Sequence, residues 1–247
     1  MNFRSFGGPT VAFTYGGLAF LTDPTFDEPG DYPIGDRKLT KTAPPAAGPD
    51  QAGRIDVVLL SHDQHPDNLD RIGREVALSA PVVLSTPTAA SRLGGPVRGL
   101  EPWEHADLPG VRVTAVPAQH GPDGSERLVG PVTGFVLEAE GEPTVYVSGD
   151  NASLPLVEQI AGRFPSIDIA LLFAGAARVP GLDAALTLTS QDAATAAQLL
   201  GSPRVVALHV EDWEHFSENR SELDAAFAQA GLSDRLVSTP RGERVEL

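Results

Sequence analysis

Short apolar runs along the chain are interleaved with longer stretches in which apolar residues recur at helical spacing. The short β-branched runs predict strands, and the periodic stretches predict helices. A capping box at 189–192 begins one helix, and Gly201 and Gly231 each follow a predicted helix end. We expect strands at about 10–15, 18–23, 55–61, 81–86, 97–102, 111–118, 132–139, 143–148, 168–174, 204–209 and 235–239, and helices at about 68–79, 87–94, 152–164, 190–200 and 218–230. The pattern alone predicts a mixed α/β fold with a hairpin turn at 140–143.

Four of the predicted strands stop at a residue that can bind a metal. The apolar run at 55–60 leads into Ser61-His62-Asp63-Gln64-His65-Pro66-Asp67-Asn68-Leu69-Asp70, and three later strands end at His120, Asp150 and His209. Three of the four ends carry histidine, although the chain has only 6. Loops at strand ends commonly carry chemistry, and imidazoles and carboxylates bind Zn²⁺, Mn²⁺ or iron. We therefore expect a metal site, rather than a polar loop in which Asp67 or Asn68 caps a helix.

The order of these residues resembles that of the metallo-β-lactamase-fold hydrolases. The chain is most similar to the branch of ascorbate-6-phosphate lactonases and N-acyl-phosphatidylethanolamine phospholipases. Leu21-Thr22-Asp23-Pro24 resembles an early strand end of that branch, and Tyr146-Val147-Ser148-Gly149-Asp150 resembles its Gly-Asp strand end. The likeness extends from Gly16 to about Phe216. It implies a four-layer αββα sandwich, an α/β (α+β) fold that forms one domain over residues 1–247.

The resemblance implies that six side chains bind a divalent metal, Zn²⁺ or Mn²⁺: His62, His65, Asp67, His120, Asp150 and His209. His65 and Asp67 match the second histidine and the aspartate of the family's His-x-His-x-Asp-His motif. Either an inserted residue lets His62 match the first histidine, or Asp63 replaces it. Asn68 takes the place of the third histidine, and a neutral amide oxygen is a poor transition-metal ligand. We therefore expect one tight metal site and a second that is weak or empty.

The resemblance also implies hydrolysis by a metal-activated water. If only one metal is bound, Asp67 would orient or deprotonate this water instead of binding a metal. His209 is expected to be the last ligand, and His215 to donate to the substrate or its leaving group. Apolar walls are usual in small-molecule sites. The aromatic residues expected in such walls are Trp103, Trp213 and Phe216, each of which would otherwise serve packing.

A proline- and glycine-rich stretch at about 24–54 precedes the strand that leads to His62. A segment of this length without predicted elements is typical of a functional lid. It holds the basic cluster Arg37-Lys38-Leu39-Thr40-Lys41, which contains both lysines of the chain. We expect Arg37 and Lys38 to bind an anionic group of the substrate, and Trp213 to contact the substrate as an aromatic residue of the pocket. The alternative is a solubilising loop.

The net charge and the absence of cysteine limit the kinds of molecule that the protein is expected to bind. The chain has 247 residues, with 33 acidic against 18 basic residues, a net charge of −15 and no cysteine. Such a surface repels nucleic acids and anionic membranes, and any metal must be held by His, Asp or Glu. The first residues lack a signal-peptide pattern, and no apolar run is long enough to span a bilayer. We expect a cytoplasmic protein with a small-molecule substrate, no nucleic-acid partner and no stable membrane anchor; a homo-oligomer is compatible with the sequence.

The predicted function is hydrolysis of an ester, lactone or phosphodiester bond in a small, anionic substrate. Two alternatives stay open from the residues alone. One is a degenerate member of the fold with a binding or regulatory role, which Asn68 favours. The other is a metal-dependent nuclease, which the acidic charge disfavours.

Overall fold

A computed structural model describes residues 1–247, and these divide into two compact units. The first unit comprises Met1–Glu101, Asp212–Glu214 and Thr239–Leu247, and the second comprises Pro102–Glu211 and His215–Ser238. The single domain expected over the whole chain stays a prediction.

The chain forms short strands and six α-helices, most of them where the apolar pattern predicts them. The strands are β1 (Asn2–Gly7), β2 (Thr10–Tyr15), β3 (Leu18–Thr22), β4 (Gly30–Ile34), β5 (Arg37–Lys41), β6 (Val57–Leu59), β7 (Val82–Ser85), β8 (Val97–Gly99), β9 (His105–Leu108), β10 (Val111–Pro117), β11 (Thr133–Glu138), β12 (Val145–Val147), β13 (Ile169–Phe173), β14 (Arg204–Leu208) and β15 (Arg244–Glu246). The helices are α1 (Arg71–Ser79), α2 (Pro87–Leu93), α3 (Glu126–Val129), α4 (Leu154–Arg163), α5 (Ser190–Leu199) and α6 (Arg220–Gln229). Every predicted helix is confirmed, as are all predicted strands except the last.

The large sheet of the first unit has the order β15-β1-β2-β3-β6-β7-β8. Its first four strands pair antiparallel, whereas β3, β6, β7 and β8 run parallel. Parallel strands are buried on both faces, which explains the uninterrupted apolar run in β6. Because β3 and β6 are parallel neighbours, Asp23 and Ser61, which follow them closely, lie at the same sheet edge.

The sheet of the second unit has the order β14-β13-β12-β11-β10-β9. β11 and β12 form the antiparallel pair of the predicted hairpin, and β12, β13 and β14 run parallel. Helices α4, α5 and α6 cover this sheet around a core that includes Tyr146, Leu172 and Phe227. The parallel arrangement brings the residues that follow β12 and β14, among them Asp150 and His209, to one edge of the sheet.

The predicted strand at 235–239 is wrong. Only a single bridge links Leu236 to Val205, with hydrogen bonds from the Val205 amide to the Arg235 carbonyl (2.7 Å) and from the Val237 amide to the Val205 carbonyl (2.8 Å). A turn that closes from the Arg235 amide to the Leu232 carbonyl precedes the bridge, and Pro240, which has no N–H, follows shortly after it. The segment therefore forms a single β-bridge and not a strand.

One expectation and one alternative reading of the sequence need correction in the first unit. The stretch at 24–54 is not wholly irregular, because β4 and β5 pair as a two-stranded hairpin within it. Helix α1 begins at Arg71, and its N-cap is Asp70 rather than Asp67 or Asn68. The Asp70 carboxylate accepts a 2.7 Å hydrogen bond from the Gly73 amide, as an N-cap requires.

Candidate functional site

Two buried histidines face each other in the turn that follows β6 in the first unit. His62 Nε2 lies 2.8 Å from His65 Nδ1, and the two rings are nearly perpendicular. Asp67, two residues further on, is also buried. Two ring nitrogens that converge on one point can share a cation between them.

A chain of hydrogen bonds determines which ring nitrogen of His62 carries the proton. Ser61 Oγ donates to Asp23 Oδ1 at 2.7 Å, because an ionised carboxylate can only accept. The hydroxyl proton is then committed, so the 3.0 Å contact between Ser61 Oγ and His62 Nδ1 needs the proton of Nδ1. His62 therefore carries its proton on Nδ1 and leaves Nε2 unprotonated, which is the state a metal ligand requires.

The neighbouring residues Asp63 and Asn68 take other roles. The Asp63 carboxylate forms an ion pair through both of its oxygens with the guanidinium of Arg92, which lies on α2 of the first unit. Asn68 is buried and its Nδ2 lies 3.5 Å from Ser61 Oγ. Of the two candidates for the first ligand, His62 thus has the buried nitrogen beside His65, whereas Asp63 is neutralised by an arginine.

In the second unit, a backbone carbonyl determines which ring nitrogen of His120 carries the proton. Its Nδ1 lies 2.8 Å from the Leu186 carbonyl, which can only accept, so Nδ1 carries the proton. His120 Nε2 then lies 3.6 Å from Asp150 Oδ2. Ser125 Oγ donates to the His120 carbonyl at 2.6 Å and holds the loop that follows the histidine.

His209 meets the same carboxylate from the end of β14. Its Nδ1 lies 3.0 Å from Asp150 Oδ1, and both side chains are buried. His209 has φ of 57°, a left-handed conformation that is uncommon for a residue other than glycine and that clusters at functional sites. The rings of Phe173 and Phe216 lie edge to face with the imidazole, with centroids 5.4 Å and 4.6 Å away.

The candidate ligands within each unit are of the types that bind transition metals. Each of His62, His120 and His209 gives its Nδ1 proton to an oxygen, so each presents Nε2 as a ligand atom. In the first unit these candidates are His62, His65 and Asp67, and in the second unit they are His120, Asp150 and His209; each offers a nitrogen or carboxylate atom that could bind a metal ion. Imidazoles and carboxylates are ligand types that Zn²⁺ and Mn²⁺ accept, and the assignment of these six residues as ligands stays a prediction.

The basic cluster divides into exposed and buried members. Arg37 and Lys38 are exposed on β5, and Lys38 pairs with Asp31 at 2.5 Å. Lys41, by contrast, is buried: its ammonium lies 3.6 Å from the Asp70 carboxylate and donates to the Asp27 carbonyl at 2.9 Å. Burial lowers the pKa of Lys41 and raises the pKa of Asp70, because both charges are withdrawn from water.

Trp213 belongs to the same part of the first unit. It is buried, lies 5.8 Å from the Lys41 ammonium and packs against the Tyr32 ring at 5.7 Å. The segment 212–214 extends the β4–β5 hairpin, since the Thr42 amide donates to the Asp212 carbonyl and the Glu214 amide to the Thr40 carbonyl.

The remaining histidine and aromatic candidates lie in the second unit. His215 is half-buried, its ring is 4.7 Å from that of Phe216, and its carbonyl accepts from the Arg178 amide. Trp103 packs on the core of this unit with the Arg163 guanidinium 4.8 Å from its ring. His105 is exposed and pairs with Asp107.

Sequence reasoning missed the residues that orient the candidate ligands. Ser61 could have been suspected from its place beside His62, and Asp23 from its position at a strand end. The Leu186 carbonyl carries no side-chain signal at all, since any residue there offers the same acceptor.

No helix is long and apolar enough to cross a membrane.

A sequence model described as "Beta-lactamase superfamily domain" matches residues 19–210. Among curated proteins, a metal-dependent hydrolase of Pyrococcus abyssi is 25% identical over 213 residues, which cover 85% of this chain and 89% of that protein. A metal-dependent hydrolase of Methanosphaerula palustris is 28% identical over 199 residues, covering 78% of this chain and 84% of that one.

Solved structures share the fold along the whole chain. The isothiocyanate hydrolase from Delia radicum gut bacteria superposes with a TM-score of 0.87 at 22% identity, covering 100% of this chain and 99% of that one. A metallo hydrolase from the archaeon Ignicoccus hospitalis gives a TM-score of 0.71 at 21% identity, with 99% and 97% covered. These likenesses confirm the expected fold.

Proposed function

The chain belongs to the beta-lactamase superfamily and is a metal-dependent hydrolase, and from this premise we propose that it cleaves an ester, lactone or phosphodiester bond in a small, anionic substrate. Such bonds need an activated water and a polarised carbonyl or phosphoryl oxygen. The residues described above can supply the ligands for a metal that provides both.

We propose that the six candidate ligands bind Zn²⁺ or Mn²⁺ as they would in the superfamily. His62, His65 and His120 would hold the tight metal through three nitrogens, a set that leaves a coordination position open. Asp150, Asp67 and His209 would complete the second position. Asn68 in place of a histidine makes that second position the weaker one.

The observation that most directly supports this proposal is that His62, His120 and His209 are buried and share one tautomer, with the proton on Nδ1. In each, an oxygen acceptor takes the Nδ1 proton and Nε2 stays unprotonated. A histidine that serves only packing has no need of a fixed tautomer, whereas a metal ligand is oriented in this way by its hydrogen-bond partner.

Chemistry at the site would combine the metal with side chains of this chain. A bound divalent metal lowers the pKa of a coordinated water to about 7 and polarises the oxygen of the scissile bond. With only the tight metal bound, Asp67 would not serve as a ligand and would instead orient the attacking water or accept its proton; its carboxylate is buried. His215, half-buried beside Phe216, would donate a proton to the leaving group.

Binding of the anionic group would fall to the β4–β5 hairpin. Arg37 and Lys38 are exposed on β5 and can move toward a phosphate or carboxylate, whereas Lys41 is held inside by Asp70. Trp213 anchors the end of the hairpin, because Lys41 and Trp213 form a bridge between backbones. The lid predicted at about 24–54 would correspond to this hairpin.

The test is a substrate panel run on protein purified without chelator. Metal content is measured first, and simple esters, lactones and bis-phosphodiesters are then supplied with Zn²⁺ or Mn²⁺, with His120→Ala as the control without the metal. We expect the wild type to carry at least one metal and to hydrolyse at least one class, and His120→Ala to lose both. A metal-loaded wild type that cleaves no member of the panel contradicts the proposed bond classes.

A further inference from the structure

A cavity of about 120 Å³ lies beside strands β1, β2 and β3 of the first unit. It extends to Ala19, near the start of β3, and to Ile55, just before β6. Asp23 and Ser61 follow the opposite ends of these two parallel strands, and none of the six candidate metal ligands lines the cavity. The cavity is therefore separate from the candidate metal site.

Two arginines line this cavity from directly opposite positions of neighbouring strands. Arg4 on β1 and Arg244 on β15 are partners in the antiparallel ladder. Side chains so placed have Cβ atoms about 4.5–5.5 Å apart, and like charges there destabilise the pair of strands. Arg54 also lines the cavity, but its charge is paired with the Asp56 carboxylate at 2.5 Å.

No carboxylate neutralises either of the two opposed arginines. Arg4 donates only to neutral oxygens, which are the Gly242 carbonyl at 2.9 Å, the Gln51 carbonyl at 3.0 Å and Gln51 Oε1 at 3.1 Å. These bonds hold the guanidinium in place and use three of its five N–H groups, so two remain for a ligand. Arg244 is exposed and has no hydrogen-bond or ion-pair partner.

The place of Arg244 on an edge strand does not by itself explain this arrangement. β15 is the outermost strand of its sheet, and a charged side chain at such an edge opposes pairing with a second sheet. A carboxylate would serve that purpose equally well and would also attract Arg4 across the ladder. Glu246, on the same strand, already supplies an exposed charge. An arginine opposite an arginine therefore points to a negatively charged ligand.

We propose that this cavity binds a small tetrahedral oxyanion of the phosphate type between Arg4 and Arg244, independently of the hydrolase reaction. Guanidinium groups bind phosphate oxygens through parallel hydrogen bonds, and an anion between two of them would cancel their repulsion. The cavity has room for several water molecules and thus for such an ion. Thr14 also lines it, and its hydroxyl accepts from the Asn2 amide at 3.4 Å, which leaves the hydroxyl proton available to an oxyanion.

Titration calorimetry of the whole chain with inorganic phosphate tests the proposal. Phosphate can also bind a metal, so His120→Ala, which is expected to lose the metal, is titrated in parallel. We expect the wild type and His120→Ala to share one phosphate site. Arg4→Gln and Arg244→Gln should each weaken this site by about 10- to 100-fold, because a charged hydrogen-bond donor is lost. Arg74→Gln is the matched control: Arg74 is an exposed arginine of α1 outside the cavity, and its loss should leave phosphate binding unchanged.

Thermal unfolding supplies a second readout. Without phosphate, Arg244→Gln should unfold at the wild-type temperature or above it, because its repulsion with Arg4 is removed. At a phosphate concentration ten times the dissociation constant, the wild type should gain about 3–6 °C. Arg244→Gln should gain only the smaller, general effect that phosphate has on folded proteins.

Four results would each overturn the proposal. A wild type that binds no phosphate has no such site, and binding that disappears in His120→Ala belongs to the metal. Equal weakening by Arg74→Gln and Arg244→Gln would be a general effect of charge. Acetate that binds the Arg244 site as tightly as phosphate would make the ligand a carboxylate. None of these results bears on the proposed hydrolase function, which the substrate panel tests separately.

Discussion

The hydrogen-bond chain from Asp23 through Ser61 to His62 makes a sharp prediction for Ser61→Ala. The variant removes the 2.7 Å bond to Asp23 Oδ1 and the 3.0 Å contact to His62 Nδ1 in one step. His62 then loses the acceptor that keeps its proton on Nδ1, and a tautomer with a protonated Nε2 competes with metal binding. All six candidate ligands are retained in this variant, because Ser61 itself contributes no ligand atom.

The expected loss is 10- to 100-fold in Zn²⁺ affinity, the usual effect of removing such a partner, or about 1.4 to 2.7 kcal/mol. The effect on folding should be at the low end of about 1–3 kcal/mol, since the Ser61 amide still donates to Asp23 at 2.9 Å. Affinity is measured on metal-stripped protein by competition with a chelator of known strength, and unfolding by urea is measured without metal. Asp23→Asn should lower Zn²⁺ affinity in the same direction.

Ser85→Ala is the matched control. Ser85 is fully buried on β7 of the same unit, and its hydroxyl forms no hydrogen bond. Its replacement should leave Zn²⁺ affinity within about twofold of the wild type, since no bond to a candidate ligand is lost. If Ser61→Ala binds Zn²⁺ as tightly as the wild type, or if Ser85→Ala weakens binding as much as Ser61→Ala does, then Ser61 does not control the Nδ1 proton of His62.

Three other predictions concern the metal site and the buried ion pair. Asp67→Asn should lower turnover by about 10²- to 10⁴-fold in steady-state assays while the tight metal is retained, whereas His120→Ala should lose metal and activity together. Titration of the wild type should show one tight metal and a second that is weaker or absent, because Asn68 stands where a histidine is expected; two equally tight metals would contradict this. Lys41→Met should lower the free energy of unfolding by about 3–5 kcal/mol, as it leaves the Asp70 carboxylate buried without its cation, and Asp70→Asn in the same chain should recover more than half in urea titrations.

The strands that deliver the candidate ligands could be predicted because their apolar runs are local signals. β6, β12 and β14 are each short, almost wholly buried and followed closely by a polar residue. Such a run can be recognised from the residues of the segment alone, without knowledge of its tertiary contacts. The capping box of α5 is equally local and is present as expected. The hairpin β4–β5 escaped prediction because β4 contains Pro33 and β5 has a single apolar residue, Leu39, among polar and basic ones.

Contacts between distant residues decided where sequence reasoning went wrong. Asp67 and Asp70 are both acidic residues just ahead of a helix, and either could cap it. Asp70 does so because its second carboxylate oxygen also accepts from the Asp27 amide at 2.6 Å, 43 residues away in the chain. Lys41 looked like a member of a mobile basic arm, yet the same carboxylate draws it into the interior.

The sequence by itself determined which residue types stand at the strand ends and in what order, because side-chain chemistry and strand periodicity are properties of short segments. The tertiary structure alone decided which nitrogen of each histidine is available. The acceptors that set this are Asp23 acting through Ser61, 38 residues apart, the Leu186 carbonyl, 66 residues from His120, and Asp150, 59 residues from His209. A hydrogen bond depends on distance and direction to a few tenths of an ångström, and only the packed chain brings such remote groups to that separation.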